Sequence, residues 1–343
     1  MKKLKVLMVI VPVVLFLLVY SSIGFCYSAA LMVPGTIGDN PIWQNTVKGA
    51  EEAAKEGNFT ELKILESGGD ISTYEKNLIT LAQMKKYDVI LTSTDVMAKS
   101  VVKVSSMFPE QKLILMSGNI YLQVKEVPKN VFSTRFDELQ RGYLAGYFSG
   151  LVTKSDMPYA NEELKVGVMF NDVIPSWVDE AKPGFEQGVK AVDPNIEVLY
   201  SIVGSWNDPT KGADVARAQY KQGVDIIWGP IGAIFYGVLN EAQNQKKYFM
   251  GSLSNQIFES PDVIPACTVI RTDAAVKGAL LSASRGEPIF GKATFMGAKE
   301  GAVTFTFDDP EYLKGVPEEI RTKMLEVYDA LAKGEIKLSI PPK

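Results

Sequence analysis

Short, continuous apolar runs recur along the chain at residues 30–33, 89–91, 113–116, 131–133, 166–170, 196–203, 226–228 and 248–250. Runs of this length and continuity suit strands buried on both faces of a parallel sheet. Between them the apolar positions repeat with helical period. Residues 44–56 place Val47, Ala50 and Ala54 on one face and Glu51, Glu52 and Lys55 on the other. Residues 139–152, 208–222 and 234–245 form further helical segments. In the first of these, Gly142, Gly146 and Gly150 recur every fourth residue, which lets another backbone approach closely. Strand and helix alternating over this length predict open, doubly wound α/β sheets with right-handed crossovers.

The pattern occurs twice. Strand 30–33 leads into Asn40-Pro41-Ile42-Trp43 and a helix carrying Val47-Lys48-Gly49. Strand 166–170 leads into Ile174-Pro175-Ser176-Trp177 and a helix carrying Gly188-Val189-Lys190. Pro suits the first helical turn, where its missing N–H would have no partner in any case. Two similar lobes therefore meet near residues 137–160, and residues 154–163 form a loop at the entrance to the second.

Ahead of this, Lys2, Lys3 and Lys5 precede an apolar run over residues 6–20, broken by Pro12. A basic start and an apolar centre read as an export signal, with cleavage favoured near residue 28 by the small residues Ser28, Ala29 and Ala30. An uncleaved membrane anchor and lipid attachment at Cys26 are the alternatives; bulky Phe25 before Cys26 argues against the lipid. On each reading the folded part works outside the cytoplasmic membrane.

Composition narrows the chemistry. The chain has 343 residues, with 36 Lys and Arg against 40 Asp and Glu. Loss of the signal would remove Lys2, Lys3 and Lys5 and nothing acidic, so no basic excess remains for nucleic acid. There is no histidine, which removes Ser-His-Asp and Cys-His catalysis and most zinc chemistry. Two cysteines, Cys26 and Cys267, give no disulfide framework.

In open α/β sheets ligands bind beyond the carboxyl ends of the strands. All four tryptophans, Trp43, Trp177, Trp206 and Trp228, fall at such ends. Aromatic walls from both lobes would sandwich a flat ligand. The polar residues at the same edges include Asn40, Asp95, Ser117, Asn171, Ser252 and Asn255, suited to orienting a neutral polar ligand. Asp39 reads as a ligand contact or a turn residue, and Asp208 as a helix cap.

Gly204-Ser205-Trp206-Asn207-Asp208-Pro209 with Lys211-Gly212 resembles the signature of the basic membrane protein family. Gly142-Tyr143-Leu144-Ala145-Gly146, Ile174-Pro175, Gly184-Phe185, Gln222-Gly223-Val224-Asp225-Ile226-Ile227 and Gly334-Glu335-Ile336-Lys337 also agree with it, in the family's order along the chain. These are solute-binding proteins of ABC importers, whose best-known members bind purine nucleosides. The resemblance implies the type I periplasmic-binding-protein fold: two doubly wound parallel-sheet lobes joined by a three-strand hinge. One lobe would hold residues 29–137 with about 273–298, the other 138–272 with about 299–343.

It further implies that Trp206 stacks on the ligand and that Asp39 matches an acidic residue of the first loop. At the family's second stacking position stands Ile42, with Trp43 one residue later. Three family positions depart. Leu253 stands where nucleoside binders place an Asp on the ribose hydroxyls. Ile270, with Arg271 alongside, stands where they place a Lys, and Ser117 replaces an acidic residue. The expectation is a monomeric, non-enzymatic binding protein with no cofactor or metal. Its partners are a small heterocyclic ligand and an importer permease in the membrane. A nucleobase or nucleoside-like compound is the leading ligand, riboflavin or another heterocycle the alternative, and a receptor's sensing lobe the alternative role.

Overall fold

A computed structural model describes residues 27–38 and 40–340. The proposed export signal with Cys26, and Asp39, lie outside the described residues. The first sheet collects β1 (Ser28–Val33), β2 (Glu61–Glu66), β3 (Val89–Ser93), β4 (Lys112–Met116) and β5 (Val131–Phe136). Helices α1 (Pro41–Glu56), α2 (Tyr74–Gln83) and α3 (Ala98–Met107) alternate with them, and α4 (Glu138–Thr153) follows. The second sheet collects β6 (Lys165–Phe170), β7 (Glu197–Ile202), β8 (Ile226–Trp228), β9 (Tyr248–Leu253) and β10 (Cys267–Ile270), alternating with α5 (Lys182–Val192), α6 (Pro209–Lys221) and α7 (Phe235–Gln245). The chain ends with α8 (Thr272–Ser284), β11 (Lys292–Met296), β12 (Val303–Phe305), α9 (Pro310–Gly315) and α10 (Glu318–Ala332).

The strand orders are β11-β5-β4-β3-β1-β2 and β12-β10-β9-β8-β6-β7. The chain therefore passes between sheets three times: after β5, after β10 and between β11 and β12. Every pairing is parallel except β10 with β12. The parallel-sheet expectation is corrected at that edge: a direct return from the first sheet brings β12 back beside β10 in the opposite sense. Among the described residues no helix is long and apolar enough to cross a membrane.

The continuous apolar runs are the central strands. Val89, Ile90, Leu91, Val166 and Ile226 are all fully buried. Strands β2, β11 and β12 were not legible as apolar runs. They are edge strands, and β2 (ELKILE) alternates polar with apolar because only part of it is covered.

The glycine spacing does what its periodicity predicts. A Cβ on Gly142 would overlap the carbonyl oxygen of Ala181, and one on Gly146 that of Phe185. Both helix axes approach to backbone contact, which fixes α5 against α4. Gly146→Ala must push the helices apart and should cost about 1–3 kcal/mol, seen as a lower urea midpoint with an unchanged slope.

Loop 154–164 is held by a buried carboxylate. Asp225 Oδ2 accepts from Thr153 Oγ1 at 2.8 Å and from the Asn161 amide at 3.1 Å. Its Oδ1 has no partner, and burial pushes its pKa up to about 6. The folded state holds this proton more tightly than the unfolded chain. The group's contribution is therefore fully present below about pH 4 and is lost as pH rises through about 6, with a ceiling of about 3 kcal/mol. Asp225→Asn should gain melting temperature relative to the parent progressively from pH 4 to pH 7. A constant difference across that range would assign the pH sensitivity elsewhere.

Candidate ligand-binding cleft

Three non-glycine residues at the carboxyl ends of strands hold left-handed backbone. Thr94 follows β3 with φ +76°, Ser117 follows β4 with φ +52°, and Leu253 ends β9 with φ +78°. None is glycine, so each holds a costly conformation that surrounding structure must impose, a pattern found at ligand sites. The Ser117 hydroxyl is buried and has no hydrogen-bond partner.

In the first lobe Asn40 caps α1, its side chain accepting from the Ile42 amide at 3.0 Å. Pro41 follows in the first turn, as its chemistry favours. Trp43 is only 8% exposed and lies in the hydrophobic core, its Nε1 against Gly35. Asp95 Oδ1 accepts from the Asn119 amide at 2.6 Å.

In the second lobe the aromatics come together. Trp206 is 49% exposed, and its Nε1 donates to Asp172 at 3.3 Å. Trp177 lies 5.8 Å from Trp206, tilted by 45°, and equally 5.8 Å from Phe170 beneath. The helix opening at Pro175 passes through a π turn over Trp177–Ala181 before continuing as α5. Turns of this kind are frequent at functional sites. Asn171 is fully buried, and its Nδ2 donates to the carbonyls of Ser205 and Ile231 at 3.1 and 3.0 Å. One side chain thus pins the loops after β7 and β8, and its Oδ1 remains unpaired. Asp208 caps α6 through the Thr210 and Lys211 amides.

Several expected contacts are placed elsewhere. Trp228 is corrected outright. It is fully buried, stacked on Phe185 at 5.7 Å and 8°, and its Nε1 donates to Thr268 Oγ1 at 3.0 Å. As the last residue of a central strand it points into the layer beneath α4 and α5, out of reach of a ligand. The two-lobe tryptophan sandwich is corrected with it, because Trp43 packs into its own lobe and the exposed platform belongs to the second. Asn255 caps the turn at Ile257 and donates to Asp309 at 2.7 Å. Arg271 forks onto Asp273, with Nε at 3.0 Å and Nη2 at 3.2 Å, at the start of α8. Both side chains hold structure in place.

Sequence reasoning missed the charges between the lobes. Arg141 is fully buried; its Nε donates to Glu138 at 2.9 Å and its Nη1 to Ser252 Oγ at 2.7 Å. The guanidinium lies 5.4 Å over the Trp228 ring. Burial raises the Glu138 pKa, Asp95 and Glu180 raise it further, and Arg141 opposes them. The spacing of Glu138 and Arg141, i to i+3 at the start of a helix beside an inter-lobe crossover, was the only available signal. Among the described residues no group of three or more carboxylates or thiols could hold a metal ion.

Residues 26–334 match the family described as Bmp, ABC transporter substrate-binding protein PnrA-like. A CD4+ T-cell-stimulating antigen of Listeria monocytogenes is 24% identical over 328 residues, spanning 90% of this chain and 86% of that one. An ABC transporter nucleoside-binding protein, BmpA, of Lactococcus lactis is 24% identical over 237 residues, spanning 63% of this chain and 61% of its own length. In three dimensions the chain is similar to a crystal structure of ABC transporter system solute-binding proteins from Aeropyrum pernix K1. There the TM-score is 0.81 at 21% identity, covering 92% of this chain and 94% of the other. The two-sheet architecture agrees with that likeness, and the chain belongs to the family of PnrA-like substrate-binding proteins of ABC transporters.

Proposed function

We propose that this protein works outside the cytoplasmic membrane as the monomeric capture subunit of an importer and takes a flat heterocycle. Family membership supplies the coarser part: a small-molecule ligand and a membrane permease as partner. The observation that supports a flat ligand is the half-exposed Trp206, oriented by Asp172 and backed by Trp177 at the carboxyl edge of the second sheet. A planar ring laid on Trp206 gains about 1–3 kcal/mol. The unpaired oxygen of Asn171 after β6 and the unpaired hydroxyl of Ser117 after β4 offer an acceptor and a hydroxyl at strand carboxyl ends, one in each sheet.

The nucleoside class is less well served. Leu253 is 6% exposed and brings no carboxylate to the end of β9, and Ser117 brings none to the end of β4. A carboxylate–hydroxyl bond contributes about 1.5–3 kcal/mol, so its absence removes most of the advantage of a ribose. The reading is a free nucleobase or a flavin-like ring.

Thermal melting with nucleobases, nucleosides and riboflavin at saturating concentration tests it, since a ligand of the native state raises Tm with concentration. A free base or riboflavin should shift Tm at concentrations at least tenfold below the matching nucleoside. If no compound of these classes moves Tm, the ligand class is wrong. With any binder found, Trp206→Ala should weaken the dissociation constant by about 10–100-fold at unchanged far-UV circular dichroism. Trp228→Ala should instead lower stability by about 3–5 kcal/mol.

A further inference from the structure

Side-chain contacts run from the first lobe to the segment of the second that carries Trp177. Arg135, on β5 of the first sheet, places Nη1 2.9 Å from Glu180 Oε1 in the π turn of the second lobe. Ser176, immediately before that turn, places its hydroxyl 3.4 Å from Asp95 Oδ2. Arg135 and Glu180 are 25% and 13% exposed, so the pair is shielded well beyond an ordinary surface salt bridge. The guanidinium is also held from the other side, 4.7 Å over the Phe295 ring of β11.

The surroundings of Glu180 make this pair more than incidental. Asp137 and Glu138, at the first crossover, both lie within Coulombic range of Glu180, and Glu138 also feels Asp95. Arg141 is committed to Glu138 and Ser252. Arg135 is therefore the positive group that allows Glu180 to approach this acidic strip. Without it, Asp137 and Glu180, on the two sides of the gap, lose the cation that acts on both, and like charges at this range repel.

We propose that Arg135 and Glu180 are positioning residues for ligand capture: their ion pair holds the lobes closed and sets the π turn that carries Trp177 beneath Trp206. Neither needs to touch the ligand. Because Trp177 and Glu180 share one turn, pulling Glu180 away from lobe one shifts the support under the platform. The inference rests on the two-lobe fold and on the distances above, and it holds whichever ligand the cleft takes.

The charge arrangement gives an asymmetric expectation that a generic contact would not. Removing Arg135 leaves repulsion behind, whereas removing the charge of Glu180 removes both the attraction and the repulsion. The test uses the ligand-free chain with Cys26→Ser and spin labels at Lys125→Cys and Lys211→Cys, one exposed site in each lobe. Cys267 is buried and its thiol is pushed up to about 12, which keeps it out of the labelling. Inter-label distances are measured by pulsed electron resonance. Arg135→Gln should lower the closed-to-open ratio at least tenfold, and Glu180→Gln should lower it less. Arg135→Gln with Glu180→Gln should be more closed than Arg135→Gln alone, and Arg135→Lys should lie between parent and Arg135→Gln. Coincident distance distributions in all variants would overturn the proposal, as would a double variant more open than Arg135→Gln. Melting curves identify any variant that fails to fold, and Arg135→Lys keeps the comparison decisive if Arg135→Gln does. Because no ligand is present, failure here is separable from failure of the heterocycle reading.

Discussion

A guanidinium with no access to water must have every direction of its charge answered by the protein. Arg141 is that group here, and much of the second lobe is arranged to satisfy it. Glu138, one helical turn earlier, brings the countercharge to the point where the chain leaves the first sheet. Ser252 brings a hydroxyl from the end of β9, and the Trp228 ring supplies a π face. Removing either polar partner would leave a buried charge underpaired, a loss of several kcal/mol. The first crossover, the end of β9 and the floor beneath the cleft are thereby fixed to one another. The same demand explains why Trp228 is structural: its indole is held between Phe185 and the guanidinium, and a ligand would have to displace both.

The fold was legible where burial is complete and illegible where it is partial. Central strands such as β3 and β8 announce themselves, because a strand covered on both faces must be apolar at every position. Edge strands are freed from that requirement, so β2 and β11 read as ordinary mixed sequence. The glycine repeat of α4 was legible for a different reason. Backbone contact between helices excludes a Cβ, and that exclusion leaves a spacing rather than a composition. Trp228 shows that position at a strand end does not by itself expose a side chain. The direction of the side chain decides, and the sequence shows direction only when the packing partners are known.

The candidate site draws its amides and aromatics from residues that stand out in the sequence, and its charges from residues that do not. Asn171, Trp177 and Trp206 stand out as rare or costly residues at the right edge, and the structure gathers the loops around them. Arg135 and Glu180 carry no such mark, being ordinary charged residues in a chain that is 22% charged. Their pairing follows only from three passages of the chain between two sheets, which bring the end of β5 against a turn 45 positions later.

That topology also explains why strain and charge concentrate together. Three crossovers link the two sheets, and buried apolar residues of both belong to one continuous cluster. Local devices act beside it at the strand ends. Thr94, Ser117 and Leu253 hold strained backbone at the strand ends, a π turn offsets the helix register beneath the aromatic platform, and an ion pair spans the gap. Each is costly or weak alone, but each is confined to the surfaces that must separate to admit a ligand. Interactions of this modest strength are what a reversible closure requires.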